Sequence, residues 1–244
     1  MLSMKDNTYL AGTILVAALI IAGSIIYAFA PTRPQISLNN NNAATYNLPP
    51  LKADLPYEQT MGEGGDVVLG DTNSLVKIVE YGDYQCPFCE KFFKESESRI
   101  REQYIGSGKA NMIYKDLIVI DGFVAGGHES ADSALAANCA ADQNKFWEYH
   151  DALFTVEGLD GKENNGNLTK ELFLKIADSL GLNKTVFEIC YDSRKYDAEV
   201  TADTEEASKD LERLSTPSTL INGELVAGAV PFAEFAKVVD KYIK

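Results

Sequence analysis

The chain has 244 residues, enough for one large domain or two small ones, and its 45% hydrophobic content can bury a sizeable core. A formal net charge of -14 leaves no surplus of Lys and Arg to displace counterions, which argues against nucleic acid as a partner. Two histidines and a single Cys-x-x-Cys do not match the spacing of a paired zinc ribbon, so no metal is expected.

Tyr9 to Ala30 is a near-unbroken apolar run without a charge, long enough to cross a bilayer as a helix. Ala28-Phe29-Ala30 resembles a signal cleavage site, but the run exceeds the roughly 7–15 residues of a signal h-region, and Pro31 would follow the cut. The expectation is therefore an uncleaved anchor: residues 1–30 as a cytoplasmic stub and one transmembrane helix. Lys5 and Arg33 give little charge asymmetry across the span. Orientation follows from the cysteines instead, because disulfide chemistry belongs outside the cytosol. The expected location is the cell membrane, single-pass, with the bulk of the chain on the extracytoplasmic side.

Residues 31–65 read as a flexible linker, with Asn39 to Asn42, Pro49-Pro50 and Gly62-Glu63-Gly64-Gly65 and little apolar periodicity. Short extended pieces of it could still dock on the domain. From Asp66 the pattern becomes globular. Val67 to Leu69 reads as a short edge strand and Val76 to Tyr81 as a second. A helix runs from Cys86-Pro87-Phe88-Cys89 to about Tyr104, and a third strand lies within Ala110 to Ile120, completing a βαβ unit. Helices follow over His128 to Ala141, around Phe146 to Phe154, over Leu172 to Leu180 with Gly181 as the stop, from Asn183 as a cap to Cys190, and from Tyr196 to Leu214. Ser218 to Ile221, the Asn222-Gly223 turn and Glu224 to Ala227 form a hairpin, and Phe232 to Tyr242 closes as a helix.

Two cysteines separated by two residues at a strand-to-helix corner can make and break a disulfide with each other. A static disulfide or half a zinc site are the competing readings. Cys86 falls at the helix N-terminus, where free N–H groups and the helix dipole favour a thiolate. Pro87 suits the first helical turn, where its missing N–H would be unpaired anyway.

Cys86-Pro87-Phe88-Cys89, the Lys145 to His150 segment with Leu153-Phe154, and Ser215-Thr216-Pro217-Ser218 before Ile221-Asn222-Gly223 together resemble the DsbA-like thiol-disulfide oxidoreductases. The resemblance covers roughly residues 66–244. It implies an α/β thioredoxin-like fold with an inserted α-helical bundle at about 122–213, following the N-terminal transmembrane helix. Cys86 would be the nucleophile and Cys89 the buried resolving thiol. Glu80, at the spacing of the family's acidic residue beneath the site, would move the proton; an ordinary edge-facing strand carboxylate is the alternative. Pro217 would be the cis proline facing the cysteines, and Thr216, Phe88 and Pro87 would meet the client. Phe88 stands where the strongly oxidising members have histidine, so a less oxidising pair is expected. Some relatives carry a second, structural disulfide in the bundle; Cys139 and Cys190 fit that role, against two unpaired core thiols or a second redox relay. His150 reads as a core or rim residue, and His128 as flanking a helix start.

The family reading implies no bound cofactor, a membrane redox partner, and clients that are unfolded or partly folded cysteine-containing secreted proteins, with a monomer as the default. Oxidase is the first expectation. A reductase or isomerase of the same fold, or a non-catalytic tethered binding module, are the alternatives.

Overall fold

The structure is a computed structural model that describes residues 37–38, 44–45, 48–52, 54–62, 65–158 and 162–243. The expected anchor lies outside the described residues. Among the described residues no helix is long and apolar enough to cross a membrane. Ser37–Leu38 pairs antiparallel with Ala44–Thr45, apart from the main sheet.

The main sheet has six strands: β1 (Gln59–Met61), β2 (Val67–Leu69), β3 (Val76–Gly82), β4 (Ala110–Asp116), β5 (Ser218–Ile221) and β6 (Glu224–Ala227), in the order β1-β2-β4-β3-β5-β6. β3 and β4 run parallel, and every other pairing is antiparallel. The parallel pair is linked by α1, a helical run over residues 87–105. It alternates α-helical turns (Pro87–Phe92, Ser98–Ile100) with π-helical ones (Phe93–Glu97, Arg101–Ile105). The β5–β6 turn places Asn222 and Gly223 at φ 48 and 87, the left-handed region that Asn-Gly tolerates.

Between β4 and β5 lie a 3₁₀ turn (Ile120–Phe123) and five helices: α2 (Glu129–Ala141), α3 (Phe146–Glu157), α4 (Lys170–Ser179), α5 (Lys184–Asp192) and α6 (Asp197–Asp210). The chain ends with α7 (Phe232–Val239). Asn183 caps α5 by accepting from the Val186 N–H at 3.2 Å. His128 occupies the N-cap of α2, and its side chain makes no capping bond. The Asp121 carboxylate instead accepts from the N–H groups of Ser130 and Ala131, at 2.9 and 3.0 Å. A disulfide joins Cys139 of α2 to Cys190 of α5.

Alternation along β3 sends Val76, Ile78 and Glu80 to one face and Val79 and Tyr81 to the other. The first face meets the main core, where Phe92 packs on Phe235 and the Trp147 indole N–H donates to the Val67 carbonyl at 3.1 Å. The second carries a smaller cluster of Tyr81, Leu117, Ala207 and Leu211 beneath α6.

The third strand lies within the expected Ala110 to Ile120 and ends at Asp116, where the Asp83 carboxylate accepts from both Val119 and Ile120 N–H at 2.9 Å and turns the chain away from the sheet. Two boundaries differ from the sequence expectation. The last insertion helix stops at Asp210, and Leu211 turns extended to reach the smaller cluster. Part of the segment read as linker is packed: Leu48, Leu51, Leu55 and Tyr57 lie against the core, and β1 extends the sheet at its edge. Gln59 accepts from the Trp147 N–H at 3.1 Å and donates to Glu148, while Lys145 reaches Asp54 at 2.8 Å. Residues 48–52 and 54–62 therefore form a strap across α3.

Candidate active site

Cys86 sits at the N-cap of α1 with extended backbone, and Pro87 fills the first helical position. Residue 86 is only 5% exposed, whereas Phe88, two residues further on, is 62% exposed. The Cys86 thiol points across to the β5 approach, with Sγ 3.5 Å from the Thr216 carbonyl oxygen. The Thr216-Pro217 peptide bond is cis, and the Pro217 carbonyl accepts from the Gly228 N–H at 2.8 Å. The loop is further fixed by the Ser218 hydroxyl, which donates to the Ser215 carbonyl at 2.7 Å.

The two thiols are free, and their surroundings drive them apart. Cys86 is lowered to about 6, by a hydrogen bond from Cys89 first, then by one from the Thr216 side chain and by the backbone N–H groups of Cys89 and Phe88, against the cost of burial. Those N–H groups are unpaired donors at a helix start, as the sequence position of Cys86 anticipates. Cys89 is fully buried, and that burial pushes its thiol well above the ordinary value, assisted by Cys86 and Glu80. One sulfur is readily ionised and the other holds its proton.

Glu80 is also buried, between Tyr114 of β4 and Thr219 of β5 in the sheet register. Burial raises its carboxyl well above the usual range; the charge of Glu97 adds to this, Arg101 opposes it, and Cys86 adds a further increment. Its Oε2 has no hydrogen-bond partner among the described residues. A carboxyl whose proton affinity is raised by burial, beside a thiol that must gain and lose a proton, is suited to proton transfer.

The structure brings Cys86, Pro87, Phe88, Cys89, Glu80, Thr216 and Pro217 to one end of the sheet. Cys139 and Cys190 lie in the helical insertion and are paired with each other. His150 is fully buried among aromatic rings, including Tyr114 at 4.7 Å and Phe154 at 5.0 Å between centroids. His128 is at the surface, 3.0 Å from Asp132. Among the described residues, no three His, Cys, Asp or Glu side chains converge as metal ligands.

Sequence reasoning missed two groups. Phe123, at the end of the 3₁₀ turn, and Leu214, two residues before Thr216, are exposed apolar side chains; Gln85, the residue before Cys86, donates to Asp121 of that turn at 3.1 Å. Glu97 and Arg101 are buried, and both charges bear on Glu80. At four-residue spacing on a helix they read as a surface ion pair, and only the packing of α3 shows otherwise.

The thioredoxin family model matches residues 62–241 of the chain. The chain is 28% identical over 179 residues to the probable disulfide bond formation protein D of Bacillus anthracis, covering 72% of this chain and 77% of that protein. It is 26% identical over 179 residues to a putative protein-disulfide oxidoreductase of Rickettsia prowazekii, covering 73% of this chain but only 62% of that protein, less than two thirds of its length. Among solved structures, BdbD from Bacillus subtilis superposes with a TM-score of 0.62 at 22% identity, over 72% of this chain and 91% of its own. Wolbachia pipientis alpha-DsbA1 gives 0.63 at 21% identity, over 75% and 92%. These structural likenesses establish the thioredoxin-like α/β fold with its helical insertion.

Proposed function

The chain belongs to the thioredoxin family, and on that footing we propose that it is a membrane-tethered protein thiol-disulfide oxidoreductase. It exchanges disulfides with cysteine-containing extracytoplasmic proteins through Cys86 and Cys89, most readily as an oxidase. The observation that carries this reading is the division of the two thiols, with Cys86 lowered to about 6 above a buried, protonated Cys89. The names of the relatives, which speak of disulfide bond formation and protein-disulfide oxidoreductase, agree with it.

In the oxidising direction a client thiolate attacks the Cys86 sulfur. The Cys86–Cys89 bond breaks, Cys89 leaves with the electron pair, and Glu80 supplies the proton it takes up. A second client thiolate then attacks the client sulfur of the mixed disulfide. The client's own disulfide forms and Cys86 leaves as a thiolate, so two electrons pass from client to enzyme. A thiol that ionises near pH 6 is a good leaving group, and its stable thiolate favours the reduced enzyme. Reoxidation falls to a membrane redox partner; the disulfide itself is the redox group, and no cofactor takes part.

Thr216 and Pro217 face the nucleophile and would align the extended client chain. Pro87 shapes the helix start, and the exposed Phe88 offers an apolar contact. Clients are then unfolded or partly folded secreted proteins, held by backbone and apolar contacts rather than by a specific pocket. Residues 1–30 would anchor the chain in the cell membrane as a single span, with the domain on the extracytoplasmic side and the protein a monomer.

The reduction potential decides between oxidase and reductase. A value between about -270 mV, the thioredoxin level, and about -120 mV, that of the strongest oxidants, is expected from a thiol of intermediate acidity. Trapping tests the function itself. Cys89→Ala should accumulate mixed disulfides with secreted proteins through Cys86, and Cys86→Ala should fold normally and form none. A folded Cys86→Ala protein that still oxidises clients would refute the reading.

A further inference from the structure

The residue before the nucleophile is polar, yet it is buried. Gln85 is only 2% exposed, and its side chain takes no part in the exchange steps above. Its amide meets three segments of the helical insertion. Nε2 donates to Asp121 Oδ1 of the 3₁₀ turn at 3.1 Å and to the Ser130 hydroxyl in the first turn of α2 at 2.8 Å. Oε1 accepts from the Asn164 N–H, in the loop between α3 and α4, at 2.5 Å. A glutamine amide carries two N–H donors and a carbonyl, so all three bonds are made at once. A carboxylate acceptor on one side and a backbone N–H on the other also fix which end is nitrogen.

The partners are held in turn. The Asp121 carboxylate accepts from the Ser130 and Ala131 N–H groups, and Asn164 Nδ2 donates to the Ile120 carbonyl at 3.0 Å. Asn164 has φ 48, in the left-handed region, which a residue other than glycine keeps where its surroundings fix it. The backbone at Gln85 is tied as well. Its N–H donates to Asp83 Oδ1 at 3.0 Å, and the Cys86 N–H donates to the Asp83 carbonyl at 3.0 Å. Asp83 Oδ2 meanwhile holds the Val119 and Ile120 N–H groups.

Cys86 therefore enters α1 from a peptide unit fixed on both sides. Its backbone is extended, with φ -75 and ψ 120, and the N–H groups of Phe88 and Cys89 help to hold its sulfur as a thiolate. Such bonds weaken steeply as donor and acceptor lose alignment. A glutamate at position 85 could accept but not donate, and would set a second carboxylate against Asp121. An apolar side chain would leave buried polar partners without their bonds.

We propose that Gln85 is a positioning residue of the redox centre: its buried amide clamps the Cys86 corner to the 3₁₀ turn, to α2 and to the loop before α4, and so sets the alignment of the Cys86 sulfur with the N–H groups of α1. This use rests on the proposed oxidoreductase function. Gln85 acts through the backbone of Cys86, and through it the insertion becomes part of the thiol chemistry.

Alkylation of the reduced, full-length protein in detergent micelles, followed against pH, reads the alignment. In Gln85→Met, which keeps the length of the side chain and loses its bonds, the Cys86 midpoint should rise by about half a pH unit or more, a roughly threefold loss in the thiolate-to-thiol ratio. Ser130→Ala removes one partner at a distance from the sulfur and should raise the midpoint by a smaller amount. The double variant Cys139→Ala and Cys190→Ala, which loosens the insertion away from the corner, should leave it unchanged. In the wild type, the Gln85 side-chain N–H protons should exchange with solvent far more slowly than those of the exposed Gln103, as read by NMR.

A folded Gln85→Met protein whose midpoint is unchanged or lower would reduce the amide to packing and overturn the assignment. An equal rise in the Cys139 and Cys190 double variant would do the same, since loosening anywhere would then suffice. So would Gln85 protons that exchange as fast as those of Gln103, a measurement that needs no variant to fold. Alkylation uses no client, so a shifted midpoint in a protein that exchanges no disulfides would defeat the function and leave the clamp standing.

Discussion

At the scale of single residues, the chemistry turns on three groups whose proton affinities diverge over a short stretch of chain. Alkylation of the reduced protein should label Cys86 with a midpoint near pH 6 while Cys89 stays unreactive. Because the Cys89 hydrogen bond is the largest influence lowering Cys86, Cys89→Ala should move that midpoint upward. The same ionisation affects stability. The Cys86 thiol is more acidic folded than unfolded, so its contribution is full above the unfolded value of about 8.5 and disappears as pH falls through about 6. Urea unfolding of the reduced protein at pH 8.5 and pH 5, compared with Cys86→Ala, should show this difference vanish at the acid end. Phe88→His would put a hydrogen-bond donor and a cation beside the thiolate. Its reduction potential should rise by about 30 mV for each pH unit that Cys86 falls.

At the scale of elements, the insertion is a bundle with a covalent staple, and the staple is remote from the exchange chemistry. Cys139 and Cys190 stand 51 residues apart in sequence. Replacing both with Ala should cost about 4 kcal/mol of stability in the chain-entropy model, read from chemical denaturation, while Cys86 alkylation keeps its pH profile. The helices were legible in the sequence because their apolar faces recur at helical spacing, and the β5–β6 hairpin because Asn222-Gly223 specifies its turn. The CxxC corner and the Thr-Pro loop announced the site by residue type alone. The strap was not legible. Leu48, Leu51, Leu55 and Tyr57 are scattered among prolines and polar residues, and they become core residues only because α3 offers a surface that no local pattern encodes. The π-helical turns escaped for a related reason: a one-residue widening of a helix leaves the spacing of its apolar side chains almost unchanged.

At the scale of the whole molecule, the globular unit extends upstream of the family match, which begins at residue 62. Removing residues 1–47 should leave the urea midpoint close to that of the full chain. Removing residues 1–65 takes away β1, the Gln59 contacts to α3 and the apolar cover of Leu55 and Tyr57. That truncation should cost about 3 kcal/mol or more on the basis of buried apolar area alone. The docked strap also fixes how far the redox centre can range if residues 1–30 anchor the chain. A free leash over residues 31–65 could extend roughly 120 Å, whereas residues 31–47 span at most roughly 60 Å. With such an anchor, the shorter leash would concentrate Cys86 in a thin layer at the bilayer surface and raise its encounter rate with thiol-bearing neighbours in the same membrane.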